Sequence, residues 1–293
     1  MTNKLLITGA SGFLGWNLGQ KAKQNWQVYG TYFSLKPSSI PGVNLLQVDL
    51  RDFAAMKRLF EEIKPDAVIH TAAQSQPNFC QVHPQESHKI NVKASCNLAG
   101  LCADAEIACV FTSTDLVFNG LNPPYKETDP VCPVSIYGEH KVMAEQGMRD
   151  RYPKTVVCRM PLMFGYGGPV AKSFLQPMLQ TLREGKELSL FVDEFRTPVS
   201  GKVGAEGLLL ALEKAPELLH LGGKERVSRY QFLAIAVEVL QLRDANLKEG
   251  RQAEVKMAAP RPPDVSLDSS KAFALGYNPP DLREQLQQFR FQL

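Results

Sequence analysis

The sequence predicts an α/β fold with a doubly wound parallel sheet, and three observations carry that expectation. From Lys4 to Met160, short apolar runs alternate with segments of helical period, the rhythm of strands joined by crossover helices. The first run leads at once into a glycine-rich turn and a helix-period segment, the arrangement of a Rossmann-type dinucleotide unit. Past Pro161 the rhythm weakens. A Rossmann-type domain over 1–161 is therefore expected, followed by a smaller C-terminal lobe over 162–293, with segments near 203–222 returning to the first domain.

Lys4–Thr8 reads as the first strand, and Gly9-Ala10-Ser11-Gly12-Phe13-Leu14-Gly15 follows it. The first glycines permit a tight turn and close approach of backbone to a pyrophosphate, and the third lets the helix pack on its strand. The helix N-terminus adds amide donors and a positive dipole end. Trp26–Tyr32 is the second strand. A fold of this kind that prefers NAD carries Asp or Glu at its end, to bind the ribose hydroxyls. None is present, and the first acidic residue of the chain is Asp49. Thr31, Ser34 and Lys36 occupy that region, either as plain loop residues or as partners of a ribose phosphate. NADP(H) is expected as cofactor, with NAD(H) as the alternative.

Val43–Val48 is a third strand, and the next helix should bury Phe53, Met56, Leu59, Phe60 and Ile63 on one face. Asp66–Ala73 is a fourth strand that runs into small residues. Pro84–Ala103 is helical by period, with Asn91 inside it as either an exposed amide or a buried one that holds a backbone group. Ile107–Thr112 is the fifth strand and delivers Ser113-Thr114-Asp115 at its carboxyl end, where open parallel sheets bind ligands. Lys154–Met160 is the sixth. Beyond it, Ala171–Arg183 is read as a helix kinked at Pro177. Leu188–Val192 and Leu218–Leu221 are read as strands. Val203–Leu212 and Ser228–Leu242 are read as helices, the second with Ser228 as N-cap.

The totals narrow the function classes. The chain of 293 residues is long enough to bury a sizeable core, and its 44% hydrophobic and 22% charged content is that of a soluble globular protein. A net charge of +3 is too slight to argue for nucleic acid or an anionic membrane surface. No signal segment or bilayer-spanning run is read, so a cytoplasmic protein is expected. Six cysteines without Cys-x-x-Cys spacing predict reduced, mostly buried thiols, and five scattered histidines predict no metal site.

The chemistry is expected at Ser135-Ile-Tyr137-Gly-Glu-His-Lys141. Tyr137 and Lys141 lie four residues apart, hence on one helix face. An ammonium held there would stabilise a phenolate and lower the Tyr pKa, which suits proton transfer near neutral pH. A solvated helix face carries the same spacing by chance. The upstream Ser113-Thr114 pair and the glycine turn are what raise this instance above chance.

Taken together, Gly9-x-x-Gly12-x-x-Gly15, Thr114 and Tyr137-x-x-x-Lys141 resemble the extended short-chain dehydrogenase/reductase superfamily. Within it, Ser113-Thr-Asp-Leu-Val-Phe-Asn-Gly120, Pro124-Tyr-Lys-Glu-Thr-Asp129 and Arg261-Pro with Ser266-Leu-Asp-Ser-Ser-Lys271 look like dTDP-4-dehydrorhamnose reductases. The resemblance implies that Tyr137 donates a proton to the substrate carbonyl. Lys141 would tune that phenol and hold the nicotinamide ribose, Thr114 would bond the carbonyl oxygen, and Asn91 would help shape the site. It places Asp49 and Leu50 beside the adenine and Ala72 and Ala73 beside the cofactor. Gly9, Ser11, Gly12, Phe13, Leu14 and Gly15 would bind its phosphates, with Ser34 and Lys36 near the ribose. A nucleotide-sugar would meet Gln74 and Thr114 and, from the C-terminal lobe, Arg196 and Arg261.

The sequence also departs from that pattern. Gln74-Ser-Gln-Pro-Asn78, Arg159-Met-Pro-Leu and Glu194-Phe-Arg196-Thr-Pro198 replace the reductases' usual segments near the sugar. The Arg196-x-Pro and Asn122-Pro-Pro-Tyr125 versions also look like the regulatory β-subunit of methionine adenosyltransferase. Three readings follow: a reductase of a nucleotide-linked 4-ketosugar, a nucleotide-sugar epimerase or dehydratase, and a cofactor-binding regulatory subunit. A homodimer is left open.

Overall fold

The computed structural model describes residues 2–34 and 40–290. Lys36 lies outside the described residues. Seven strands form one parallel sheet: β1 Lys4–Thr8, β2 Gln27–Tyr32, β3 Val43–Gln47, β4 Ala67–His70, β5 Ala108–Thr114, β6 Val156–Met160 and β7 Leu218–His220. Their order is β7-β6-β5-β4-β1-β2-β3. The direction of winding reverses between β1 and β4, which places a ligand crevice beyond their carboxyl ends. The four residues of β4 and the five of β6 are all buried, as expected of parallel strands covered on both faces.

Strand periodicity divides the core between the two faces. Leu5 and Ile7 of β1 pack with the helices Phe13–Ala22 and Gly201–Lys214, through Leu14, Leu18, Val203 and Leu208. Leu6, between them, faces the helices Phe53–Ile63, Ser95–Asp104 and Ile136–Arg151 on the other side. A third core, around Phe164, Leu179, Phe232 and Leu286, joins the helices Leu175–Arg183, Arg229–Leu240 and Leu282–Arg290. The helix Gly201–Lys214 and β7 come from the C-terminal half yet complete the sheet and its cover. No helix among the described residues is long and apolar enough to cross a membrane.

Several local expectations need correction. Pro84–Ala103 is not one α-helix. The chain forms short helices at Pro77–Val82 and Pro84–His88, a π-helical turn at Lys89–Ala94, and then the helix Ser95–Asp104. The wider turn is held from outside, where Asn91 clasps the backbone of Gln74, and locally, where Ser95 Oγ donates to the Asn91 carbonyl four residues back at 2.8 Å. The Ala171–Arg183 helix begins only at Leu175, because Ala171–Lys172 pairs with Tyr166–Gly167 as a hairpin. Pro177 then falls in the first turn, where a missing N–H costs nothing, so no kink is required. Phe53 is exposed, while Met56, Leu59, Phe60 and Ile63 are buried as the period requires. Ser228 does cap its helix, in a capping box with Gln231. The six cysteines are free, and Cys132 alone among them is exposed.

Candidate active site

A cleft of about 950 Å³ runs along the carboxyl ends of the sheet and against segments from the C-terminal half of the chain. Gly9, Ser11, Gly12, Phe13, Leu14 and Gly15 line one end of it, and Leu50, Ala72 and Ala73 line the adjoining wall. Two of the turn's glycines could not carry a side chain without a shift of backbone. Gly9 has φ +74°, and a Cβ there would lie 2.7 Å from Ala72 Cα. A Cβ on Gly15 would lie 2.2 Å from the Gly9 carbonyl oxygen, so helix and strand touch backbone to backbone. Gly12 caps the helix with no side-chain bond, which leaves the first amides directed into the cleft for an anion. These features suit the pyrophosphate of a dinucleotide.

The expected adenosine end is less simple. Asp49 does not line the cleft. Its carboxylate is clamped by Arg51, with Nη2–Oδ2 at 2.7 Å and Nε–Oδ1 at 2.9 Å, and this hydrogen bonding holds its pKa below the ordinary value. Ser34 is exposed beyond the end of β2 and also lies outside the lining. Phe33 takes its place on the cleft wall, with the Arg51 guanidinium over its ring at 5.2 Å.

At the other end, β5 and the helix Ile136–Arg151 bring Thr114, Tyr137 and Lys141 to the same wall. Ser135 caps that helix through the Gly138 N–H at 3.3 Å. Gly138 allows the helix to sit hard against the Leu116 carbonyl, 2.3 Å from where its Cβ would be. Lys141 is buried; its Nζ donates to the Thr112 carbonyl at 2.8 Å and lies 4.6 Å from the Phe111 ring centre. Burial lowers its pKa to about 8, against the opposing pull of Glu145. Tyr137 is pushed well above its ordinary value, first by burial and then by the Asp115 carboxylate. The expectation that Lys141 lowers the phenol's pKa is therefore corrected for the protein alone. The ammonium is engaged by a backbone carbonyl, and desolvation governs the phenol.

Asn91 does not reach the cleft. It is buried behind it, its Oδ1 accepting from Gln74 N at 2.8 Å and its Nδ2 donating to Gln74 O at 3.0 Å. Gln74, expected at the substrate, is held in that wall and does not line the cleft; Ser75, Gln76 and Asn78 do. Arg261 lines the cleft, partly buried, with Nη1 donating to Ala259 O at 2.8 Å and Nη2 to Asn78 Oδ1 at 3.0 Å. Arg196 also lines it, but its guanidinium is spent. Nη1 donates to Phe195 O at 2.6 Å, Nη2 to Pro262 O at 3.2 Å, and the charge is matched by Glu194 at 3.3 Å and Asp115 at 3.7 Å. A buried, neutralised arginine is a poor partner for a diphosphate.

Two residues of this network escape sequence reading. Arg229 pairs with Glu194 at 2.8 Å and lies 4.7 Å from the Phe174 ring centre. It stands at the first position of a helix, outside any apolar period, and only the Ser228–Gln231 capping box around it marks the place. Asp115 follows Thr114 in sequence and is buried. Among the described residues, Ser113 Oγ, Asp115 Oδ2 and Arg229 Nη1 are buried without a hydrogen-bond partner, and all three residues line the cleft. Buried polar atoms are rarely left so, and three of them gather at this end of the cleft.

Known proteins share this architecture. The methionine adenosyltransferase 2 subunit beta of Xenopus laevis is 29% identical over 283 residues, covering 94% of this chain and 83% of that one. A probable low-salt glycan biosynthesis reductase from Haloferax volcanii is 31% identical over 287 residues, covering 96% and 95%. The crystal structure of a dTDP-4-dehydrorhamnose reductase from Clostridium acetobutylicum superposes with a TM-score of 0.86 at 25% identity, over 99% of this chain and 100% of that one. A family profile, the RmlD substrate binding domain, matches residues 3–292. The chain belongs to that family, in the extended short-chain dehydrogenase/reductase superfamily.

Proposed function

We propose that the protein is an NADPH-dependent reductase of a nucleotide-linked 4-ketosugar. The observation that carries the reading is the convergence of Thr114, Tyr137 and Lys141 on one cleft whose far end is the glycine turn. A reduced nicotinamide, when bound along that wall, supplies the hydride. The protein's own residues do the rest. Tyr137, kept protonated by burial, is placed to give its proton to the carbonyl oxygen. The buried Lys141 ammonium supplies positive charge beside it as negative charge develops. Arg261 is the cation offered to the diphosphate, since Arg196 is neutralised within the protein.

The reading is tested by offering nucleotide-linked 4-ketosugars and following NADPH oxidation. Stoichiometric consumption supports a reductase, whereas turnover with the cofactor retained indicates an epimerase or dehydratase. The relatedness to methionine adenosyltransferase β-subunits favours a second reading, a regulatory subunit. That reading expects no turnover of any ketosugar and copurification with an enzyme.

Two predictions belong to this reading. NADPH is expected to bind more tightly than NADH, because no carboxylate follows β2 to take the ribose hydroxyls. Side-by-side titration checks it, and a tenfold preference for NADH would reject it. Arg261→Ala is expected to raise the substrate KM by roughly tenfold, the scale of one charge-assisted contact, while NADPH affinity holds. An unchanged KM removes Arg261 from the substrate site, and a parallel loss of NADPH affinity assigns it to the cofactor.

A further inference from the structure

The hydroxyl of Thr114 is not free to serve a carbonyl. A threonine hydroxyl has one proton to give and two lone pairs to offer. Thr114 Oγ1 accepts from Leu116 N at 3.3 Å and lies 3.0 Å from Asp115 Oδ1. Leu116 N can only donate, and an ionised carboxylate can only accept, so the hydroxyl proton must point at Asp115. What Thr114 then shows the cleft and the neighbouring Tyr137 phenol is its one remaining lone pair. A ketone oxygen is itself only an acceptor, and two acceptors do not bond.

We propose that Asp115 is a positioning residue that sets the direction of the Thr114 hydroxyl, an acceptor toward the cleft while Asp115 is ionised and a donor once Asp115 is protonated. The proposal rests on the ketosugar-reductase reading above. The step takes one proton from solvent onto a carboxylate oxygen; the new O–H donates to Thr114 Oγ1, whose own proton turns to the substrate oxygen. No covalent bond to carbon changes.

The surroundings of Asp115 suit such a change. Its Oδ2 is buried and has no hydrogen-bond partner among the described residues. Arg196 Nε approaches it from the Phe195–Arg196 segment, but only to 3.7 Å, closer to an ion pair than to a hydrogen bond. Arg229 acts from the start of its helix, Glu194 from the segment before Arg196, and Tyr137 faces it from the helix Ile136–Arg151. The two arginines favour the carboxylate, while Glu194 and burial oppose it. Burial prevails and pushes the pKa up to about 6. Asp115 thus connects the reacting end of the cleft to the Arg196–Glu194–Arg229 chain.

The test is the pH dependence of kcat/KM for a ketosugar substrate in three proteins. The wild type is expected to lose on the order of tenfold in kcat/KM, the worth of one neutral hydrogen bond, as pH rises through a step centred near about 6. Asp115→Asn should be flat across that range. Thr114→Ala should be slower and also flat, because the carboxyl acts only through the hydroxyl. A step that persists in Thr114→Ala means that Asp115 acts other than through the hydroxyl, on the substrate or on the Tyr137 phenol, and overturns the proposal. If Asp115→Asn does not fold, the Thr114→Ala profile still decides. An infrared difference titration of the unliganded protein reads the same carboxyl without turnover. A carboxyl that protonates only at or below the ordinary Asp range, about 4, also overturns the proposal. If no ketosugar is reduced, the functional reading fails, and the infrared result alone decides this one.

Discussion

Tyr137→Phe is expected to lower turnover of a nucleotide-linked 4-ketosugar by about a hundredfold or more, with NADPH affinity nearly unchanged. A hundredfold corresponds to about 2.7 kcal/mol of barrier, the ordinary contribution of a positioned acid. The ring of Phe keeps the packing, since Tyr137 is buried, and the substitution removes only the hydroxyl and its contact with Thr114. Lys141→Met should lower turnover and weaken the cofactor together. It removes the cation beside the phenol and also a bond that ties the helix to the Thr112 carbonyl. The wild-type rate should also decline above about 8, as the buried ammonium loses its proton. A Phe variant that reduces substrate at the wild-type rate would remove Tyr137 from the acid's role. If the parent protein is inactive as well, the regulatory reading gains.

Acid is expected to destabilise the protein steeply, through two buried neutral histidines. His70 lies on β4 between Thr8 and Ser95. Ser95 Oγ spends its proton on the Asn91 carbonyl, so it accepts from His70 Nε2 at 2.9 Å, and Thr8 Oγ1 then donates to Nδ1. His220 donates through Nδ1 to Tyr125 O at 3.0 Å and turns Nε2 toward the Arg159 guanidinium at 3.4 Å. A second proton on His220 would face the Arg159 guanidinium, and one on His70 would require the Thr8 hydroxyl to turn from donor to acceptor. Burial first, then Lys141 for His70 and Arg159 for His220, lowers each pKa to about 3. In the unfolded chain both return to about 6.5. The folded pKa is the depressed one, so the stability linked to these rings is fully present above about 6.5 and is lost as pH falls toward 3. Each pH unit in that window costs about 1.4 kcal/mol per histidine. Two units below its start, the pair would cost about 5 kcal/mol, comparable to the whole stability of a modest domain. Asp115, raised to about 6, works in the opposite sense over part of the range, but as one group against two. Denaturant midpoints measured from about pH 7 to 4.5 check this. A flat profile would reject it, and His70→Asn should shallow the slope if the variant folds.

Much of the first half of the fold was legible because its signals are local. Lys4–Thr8 and the three glycines that follow dictate a strand, a turn and a helix with few alternatives. The completely buried β4 and β6 could be read from apolar runs alone. The π-helical turn at Lys89–Ala94 was not legible, since it depends on Asn91 grasping Gln74, a contact made across the fold. The same limit governs the charges of the cleft. Arg196 and Arg261 look alike as exposed candidates in sequence, yet one is neutralised by Asp115 and Glu194 while the other bonds only neutral oxygens. Arg229 carried no signal of its own beyond the capping box that surrounds it. Pro177 misled for a simpler reason: its effect depends on where the helix begins, and the Tyr166–Lys172 hairpin delays that start.

The late arrival of β7 bears on how the nascent chain leaves the ribosome. When β6 has been made, the strand that will pair with it and the helix Gly201–Lys214 that will cover Leu5, Ile7 and Leu14 are still to be translated. Until then one sheet edge and one greasy face stand open, and an open edge of that kind readily pairs with another copy. Translation halted shortly after Met160 would therefore release a sticky, unfinished sheet.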